Sequence, residues 1–240
     1  MRTTISAPRT DTPTPRTVGR RLIVTIDGPA GAGKSTVARQ LATKLGYLYL
    51  DTGALYRAVA WRVRAAGVDP GNEQAVAALL PATQVMMDQH RDGVRVTVNG
   101  TDITAEIRTP DISTLASKVS ALPTVREWLL PVQQRVAERG GVVAEGRDLG
   151  TRVFPGAEAK FFLDADVSTR AARRQQDLTG AGNAAGLAQT QQEIEARDQR
   201  DRSRALAPLA PAADAEQIDS SSLTVEQVLA RMLATIATKL

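Results

Sequence analysis

Gly28-Pro29-Ala30-Gly31-Ala32-Gly33-Lys34-Ser35 is the stretch on which the reading of this chain turns. It satisfies the spacing G-x-x-x-x-G-K-[ST] in full. Just before it, Leu22 to Ile26 (LIVTI) is a short apolar run of the kind that forms a strand buried on both faces. Just after it, Val37, Ala38, Leu41, Ala42 and Leu45 recur at helical spacing, and Gly46 ends the run. Strand, glycine-rich loop and helix in that order make a cradle. Glycine lets successive backbone N–H groups turn inward with no Cβ in the way, and the helix N-terminus adds positive potential at the same point. Such a cradle suits a polyphosphate. Lys34 is expected to reach its β- and γ-phosphates, Ser35 to offer a hydroxyl to Mg²⁺, and Thr36 to add a phosphate contact.

Working outward, short apolar strands alternate with helical patterns. Tyr47 to Leu50 reads as a second strand, Ala54 to Ala66 and Glu73 to Leu80 as helices. The character changes at Gln84–Met87 and Val94–Val98, which alternate around Asp92-Gly93, a hairpin signal; Asn99-Gly100 turns the chain into Thr101 to Ile107. Helices follow over Asp111–Ala121 and after Pro123, where Pro131 is expected to bend the second. Val142–Ala144, Lys160–Leu163 and the region of Ile218 read as strands. Ser168–Leu178 and Gln191–Ala205 read as charged helices on either side of a mobile Gly- and Ala-rich loop, Thr179–Ala188. Thr224 is placed to cap a final helix. The expected fold is α/β: a P-loop NTPase-type parallel sheet flanked by helices, with a small antiparallel insertion near 83–108 and a short lid near 173–190.

Composition narrows the chemistry. With no cysteine and one histidine, His90, disulfides, thiolate metal sites and histidine cages are excluded. No apolar run is long enough to cross a bilayer, so a membrane is not an expected partner. Residues 1–20 carry Arg2, Arg9, Arg16 and Arg20 with Pro8, Pro13 and Pro15 and lack an apolar core segment; they read as a disordered basic tail ahead of one domain over 21–240. The net charge of +4 fits an anionic ligand or nucleic acid alike.

The placement of arginine is more telling. Arg57 sits in Asp51-Thr52-Gly53-Ala54-Leu55-Tyr56-Arg57, Arg126 follows Pro123, and Arg147-Asp148 follow the Val142–Ala144 strand at its carboxyl end. Arg170, Arg173 and Arg174 precede the Gly-rich loop as lid candidates; Arg197, Arg200, Arg202 and Arg204 follow it. Guanidinium groups suit phosphate oxygens. Glu195, Asp198 and Asp201 lie among the last group, so a solvated helix face with local ion pairs is the competing account there. The chain has no N-K-x-D tetrapeptide, which argues against a GTPase. A kinase for CMP, UMP or shikimate, and an ATP-switched nucleic-acid binder, remain open on these grounds; only three per cent aromatic residues weighs against the last.

The chain resembles the bacterial cytidylate kinase family of P-loop nucleoside monophosphate kinases, in IDGPAGAGKST, YLDTGALYRA, EIRT at Glu106, AEGRDLGT, and RDQRDRSRALAPL followed by AADA and IDS. The resemblance covers about Arg21 to Leu240. It implies ATP as phosphoryl donor with Mg²⁺, CMP or dCMP as acceptor, a cytoplasmic and monomeric enzyme, and no stable nucleic-acid partner. It implies that Thr52 and Arg57 hold the acceptor, that Ser117, Arg126 and Asp148 read cytosine, that Arg147, Arg197 and Arg204 contact phosphate, and that Asp201 contacts ribose. Thr52 stands where many relatives carry Ser, Ala30 where Ser is common, and Glu145 where Asp is common. Either Asp51 or Glu145 could support Mg²⁺.

Overall fold

The computed structural model describes residues 5–6, 21–90, 93–180 and 186–240. In chain order the elements are β1 (Ile5–Ser6), β2 (Ile23–Asp27), α1 (Lys34–Leu45), β3 (Leu48–Asp51), α2 (Thr52–Ala65), α3 (Glu73–Leu79), β4 (Val85–His90), β5 (Gly93–Val98), β6 (Thr101–Asp102), α4 (Pro110–Val119), α5 (Pro123–Val136), β7 (Val142–Gly146), β8 (Ala159–Asp164), α6 (Val167–Gly180), α7 (Leu187–Arg202), β9 (Glu216–Asp219) and α8 (Val225–Ala237). The described residues form two compact units: those within 21–50 and 140–240, and those within 51–139 with Ile5–Ser6.

The first of these units is built on a sheet of order β3-β7-β2-β8-β9. β2 pairs in parallel with β7 on one side and β8 on the other, and β8 pairs in parallel with β9. A strand so enclosed is buried on both faces: Val24 and Ile26 on one are wholly buried, and Thr25 on the other is also buried. α1 turns Val37, Ala38, Leu41 and Ala42 inward. α8 starts with a reciprocal cap. The Gln227 N–H donates to the Thr224 hydroxyl at 3.3 Å, and the Thr224 N–H donates to the Gln227 side chain at 2.9 Å, as the position of Thr224 predicts. The chain therefore adopts the expected α/β class, with the strand–loop–helix at its centre.

The second unit wraps a small sheet of order β1-β4-β5-β6. β4 and β5 are antiparallel, with Val85 opposite Val98 and Met87 opposite Val96. These four side chains face one way and close a core with Leu55, Val59 and Val63 of α2, Ile112 and Val119 of α4, and Val125 and Leu129 of α5. The antiparallel sheet falls in the stretch that the sequence sets apart near 83–108, but the compact unit around it is wider, because the helices on both sides of the sheet in sequence share its core.

Three expectations change at this level. The strand expected over Thr101–Ile107 stops at Asp102, whose carboxylate accepts from the Thr104 N–H (3.0 Å) and hydroxyl (2.7 Å); that turn breaks the ladder and leads into a 3₁₀ turn at Glu106–Arg108. The loop expected over Thr179–Ala188 is shorter at both ends, since α6 runs to Gly180 and α7 begins at Leu187. Side-chain pairs Gln189–Glu193 and Gln191–Glu195, four residues apart, hold the first turns of α7. Within the tail, Ile5–Ser6 pair in parallel with Met87 and Asp88 rather than standing apart from the fold; the rest of residues 1–20 and residues 181–185 lie outside the described residues.

Candidate functional site

Asp27 ends β2, and the glycine loop leaves from it. Gly28 has φ +146, and a Cβ there would lie 1.9 Å from the carbonyl oxygen of Leu163 on β8, so no other residue fits without parting the two strands. Gly33 at φ 90 opens α1, whose first residue is Lys34. The Lys34 ammonium is buried and donates to the Pro29 carbonyl at 2.6 Å, so it lies folded across its own loop. Burial, and then the neighbouring Arg147 charge, push its pKa down to about 7. Glu145 and Asp27 oppose that shift only in part, so an arriving phosphate would favour the charged ammonium further.

β7 delivers the second strand end. Its register with β2 sets Ile26 beside Glu145 and Asp27 beside Gly146, so the segment Glu145-Gly146-Arg147-Asp148 emerges next to the glycine loop. Glu145 is buried. It accepts a 2.9 Å hydrogen bond from the Ser35 hydroxyl on one carboxylate oxygen and a short one from the Tyr49 hydroxyl on the other. Asp51, the other carboxylate considered for Mg²⁺, is differently engaged: it caps α2 by accepting from Ala54 N–H at 3.0 Å and pairs with Arg57 at 2.7 Å. Burial opposes its charge, but Arg57, the Ala54 N–H and Arg108 together hold its pKa below the usual carboxylate range.

The arginines sort themselves. Arg147 Nε donates to Asp201 at 3.1 Å and its Nη1 to the Gly146 carbonyl at 3.0 Å. Arg204 pairs closely with the same carboxylate, and Arg197 Nε stands 4.0 Å from it. Asp201 is 1 % exposed. Burial works against its charge, yet Arg147, Arg204 and Arg197 together keep its pKa below the ordinary value. The three arginines predicted to contact phosphate thus converge on one buried acid, a concentration of guanidinium groups suited to an anion.

The three arginines proposed for the lid differ in burial and partners. Arg170 is 2 % exposed and is no surface arginine: it donates to the Ala165 and Ala30 carbonyls at 2.8 and 3.1 Å and pairs with Asp198 of α7 at 2.5 Å. It lies under the glycine loop, where its backbone would meet any Cβ on Gly31 at 2.8 Å. Arg173 donates to the carbonyl and hydroxyl of Ser220 at 2.7 and 3.1 Å. Arg174 is half-buried on the same helix.

In the other unit, Thr52 is buried as the first residue of α2, with Arg57 one and a half turns on. Ser117 on α4 and Arg126 on α5 are both buried and are linked through Ser120: its hydroxyl donates to the Ser117 carbonyl at 3.0 Å, and Arg126 Nη1 donates to the Ser120 carbonyl at 2.9 Å. The Arg126 guanidinium also stacks 5.5 Å from the centre of the Tyr56 ring.

Two residues escape sequence reasoning. Asp27 is 4 % exposed and accepts from the Leu149 and Gly150 N–H groups at 2.9 and 2.8 Å. Burial, against those two bonds, raises its pKa to about 6, with Asp148 adding to the rise and Lys34 opposing it. An acid closing the strand directly before Gly28 is the signal that could have found it. Tyr49 has no signal beyond an apolar run, since its role is fixed by Glu145 across the sheet.

A sequence profile described as cytidylate kinase matches residues 24–238. The cytidylate kinase of Syntrophotalea carbinolica is 46% identical over 220 residues, covering 92% of this chain and 94% of that one. That of Geobacter sulfurreducens is 47% identical over 215 residues, covering 89% and 92%. The bifunctional pantoate ligase/cytidylate kinase of Synechococcus elongatus is 48% identical over 215 residues, which is 88% of this chain but 41% of that protein. The chain thus spans about two fifths of the bifunctional relatives and nearly the full length of the shorter ones. With a glycine cradle, a serine–glutamate contact beside it and a match that runs almost from end to end, the chain belongs to the cytidylate kinase family.

Proposed function

We propose that the chain transfers the γ-phosphoryl group of ATP to CMP or dCMP, giving ADP and CDP or dCDP, as part of pyrimidine nucleotide metabolism in the cytoplasm, acting as a monomer. The observation that carries this reading is the hydrogen bond from Ser35 to Glu145 directly beside the buried Lys34. Residues 28–36 bind the triphosphate. The phosphate of CMP is already ionised near neutral pH, so the reaction needs alignment and charge neutralisation rather than a strong base. Lys34, Arg147, Arg197 and Arg204 supply the positive charge. The acceptor ligands are Thr52, Arg57, Ser117, Arg126, Arg147, Asp148, Arg197, Asp201 and Arg204.

The residues present fit Mg²⁺. Ser35 offers a hydroxyl and Glu145 a carboxylate within hydrogen-bonding distance of each other, whereas Asp51 is committed to Arg57 and to its helix. When bound, the ion neutralises charge on the phosphate oxygens. Among the described residues no group of three or more acids and histidines could hold a metal ion by itself, which suits an ion bound largely through nucleotide phosphates. Asp148 accepts from the exocyclic amine of cytosine, where uracil presents a carbonyl and is repelled. Also among the described residues, no helix is long and apolar enough to cross a membrane.

The test is a nucleotide profile with ADP release as the readout. CMP and dCMP should outpace UMP and AMP; a preference for UMP or AMP defeats the assignment.

A further inference from the structure

Asp148 is followed at once by a single π-helical turn, Leu149–Val153. Turns of this kind begin with N–H groups that lack partners inside the turn. Here the first two, on Leu149 and Gly150, are met by the two carboxylate oxygens of Asp27, one each, at 2.9 and 2.8 Å. The carbonyl of Asp148 is fixed from the other side, accepting from Arg152 N–H at 2.9 Å and Val153 N–H at 3.2 Å. The backbone that leaves Asp148 is therefore held, from its own carbonyl through Gly150.

The turn also has no slack against the sheet. A Cβ on Gly150 would lie 3.2 Å from the Lys160 side chain and 3.3 Å from both Thr25 Oγ1 and the Ala212 methyl. The same Asp27 is the last residue of β2 and the residue before Gly28. One side chain therefore spans from the strand that launches the glycine loop to the turn that follows Asp148. A neutral side chain could have met one of these N–H groups at lower electrostatic cost; only a carboxylate accepts from both without presenting a donor.

We propose that Asp27 is a positioning residue for acceptor selectivity: by holding Leu149 and Gly150 it fixes Asp148 where a cytosine, and not a uracil, can be met. The inference rests on Asp148 reading the base. Both Asp27 carboxylate oxygens are taken up by Leu149 and Gly150, so its effect is on where Asp148 stands.

The experiment compares kcat/KM for CMP and UMP, and KM for ATP, in the unaltered chain, Asp27→Asn, Asp27→Glu and Asp148→Asn. Asp27→Asn keeps the shape but aims an amide donor at one of the two N–H groups. It should lower the CMP-to-UMP ratio about tenfold, mainly through KM for CMP, with KM for ATP moving less than about threefold. Asp27→Glu restores two acceptor oxygens and should recover part of the ratio. Loss of rate with both pyrimidines equally, or an unchanged ratio in whichever Asp27 variant folds, overturns the proposal. An Asp148→Asn variant that loses the ratio while the Asp27 variants keep it shows that base reading stands and the positioning role does not. An Asp148→Asn variant that keeps the ratio removes the base-reading assignment, and this proposal with it.

Discussion

Ser35 Oγ lies 2.9 Å from a carboxylate oxygen of Glu145, with the serine on the first turn of α1 and the glutamate near the end of β7. The parallel pairing of β2 and β7 brings them together, since it sets the two strand ends side by side. On the proposed reading, this contact favours Glu145 over Asp51 as the acid near Mg²⁺.

Glu145→Gln keeps the size and one acceptor oxygen but removes the charge. Loss of a charged partner at a developing phosphate site is expected to lower kcat by about a hundredfold or more, and to raise the Mg²⁺ concentration needed for half-maximal rate. Initial rates titrated with MgCl₂ check both. Asp51→Asn should instead mainly weaken CMP use, because it frees Arg57.

Tyr49 donates to the second oxygen of Glu145 and stacks under Arg39, whose guanidinium lies 5.6 Å from the ring centre. Tyr49→Phe removes the donor only. The expected cost is about 1–2 kcal/mol of stability, with a rise in the Mg²⁺ requirement smaller than for Glu145→Gln. Urea unfolding and the same magnesium titration measure the two effects.

Removing the carboxylate at Asp201 would leave Arg147, Arg197 and Arg204 facing one another. Asp201→Ala is expected to destabilise the protein by about 3 kcal/mol, as when one partner of a buried ion pair is deleted. Sulfate or phosphate should restore more stability to the variant than it adds to the unaltered chain. Thermal melts with and without sulfate give the comparison; equal shifts would mean that the arginine cluster takes no anion.

Arg170 ties the Ala30 carbonyl of the glycine loop to Asp198 of α7. Arg170→Lys cannot serve both and the Ala165 carbonyl with one ammonium. KM for ATP should rise by about tenfold while the CMP-to-UMP ratio holds, the opposite pattern to Asp27→Asn.

Asp27 also makes stability depend on pH. Burial raises its pKa from 3.8 to about 6, so the folded chain holds this proton more tightly than the unfolded chain. Its favourable contribution is complete below the unfolded value and is lost as pH rises through about 6. Two pKa units correspond to on the order of 3 kcal/mol. Asp148 and Lys34 face this group and both move it, in opposite directions. The stability of the unaltered chain relative to Asp27→Asn should fall between about pH 4 and pH 7; a difference that stays flat over that range contradicts the raised pKa.

The strand–loop–helix at 22–46 was legible because all its determinants are local: an apolar run, glycines at set spacing and a 3.6-residue period. The arginine run at 197–204 was legible only in part. Acids and bases alternate there, and nothing along the chain says that Asp198 belongs to Arg170 while Asp201 gathers Arg147, Arg197 and Arg204. The burial of Arg170 is not legible in the sequence, because it comes from the glycine loop, far off along the chain. Asp27 was passed over for the same reason, since its partners Leu149 and Gly150 lie more than a hundred positions away. Thr104 shows the limit at short range: alternation extended a strand that an Asx turn at Asp102 ends.

The ladder that sets Asp27 beside Gly146 gives the enzyme's working parts a shared ruler. Side chains alternate along a strand, so inserting or deleting one residue within Ile23–Asp27 or Val142–Gly146 would reverse every group beyond it. Change in this region can come by swapping residues, but length variation has to be accommodated elsewhere. An indel scan would then find the two central strands intolerant of any change in residue count, even where point substitution of the same residues is accepted.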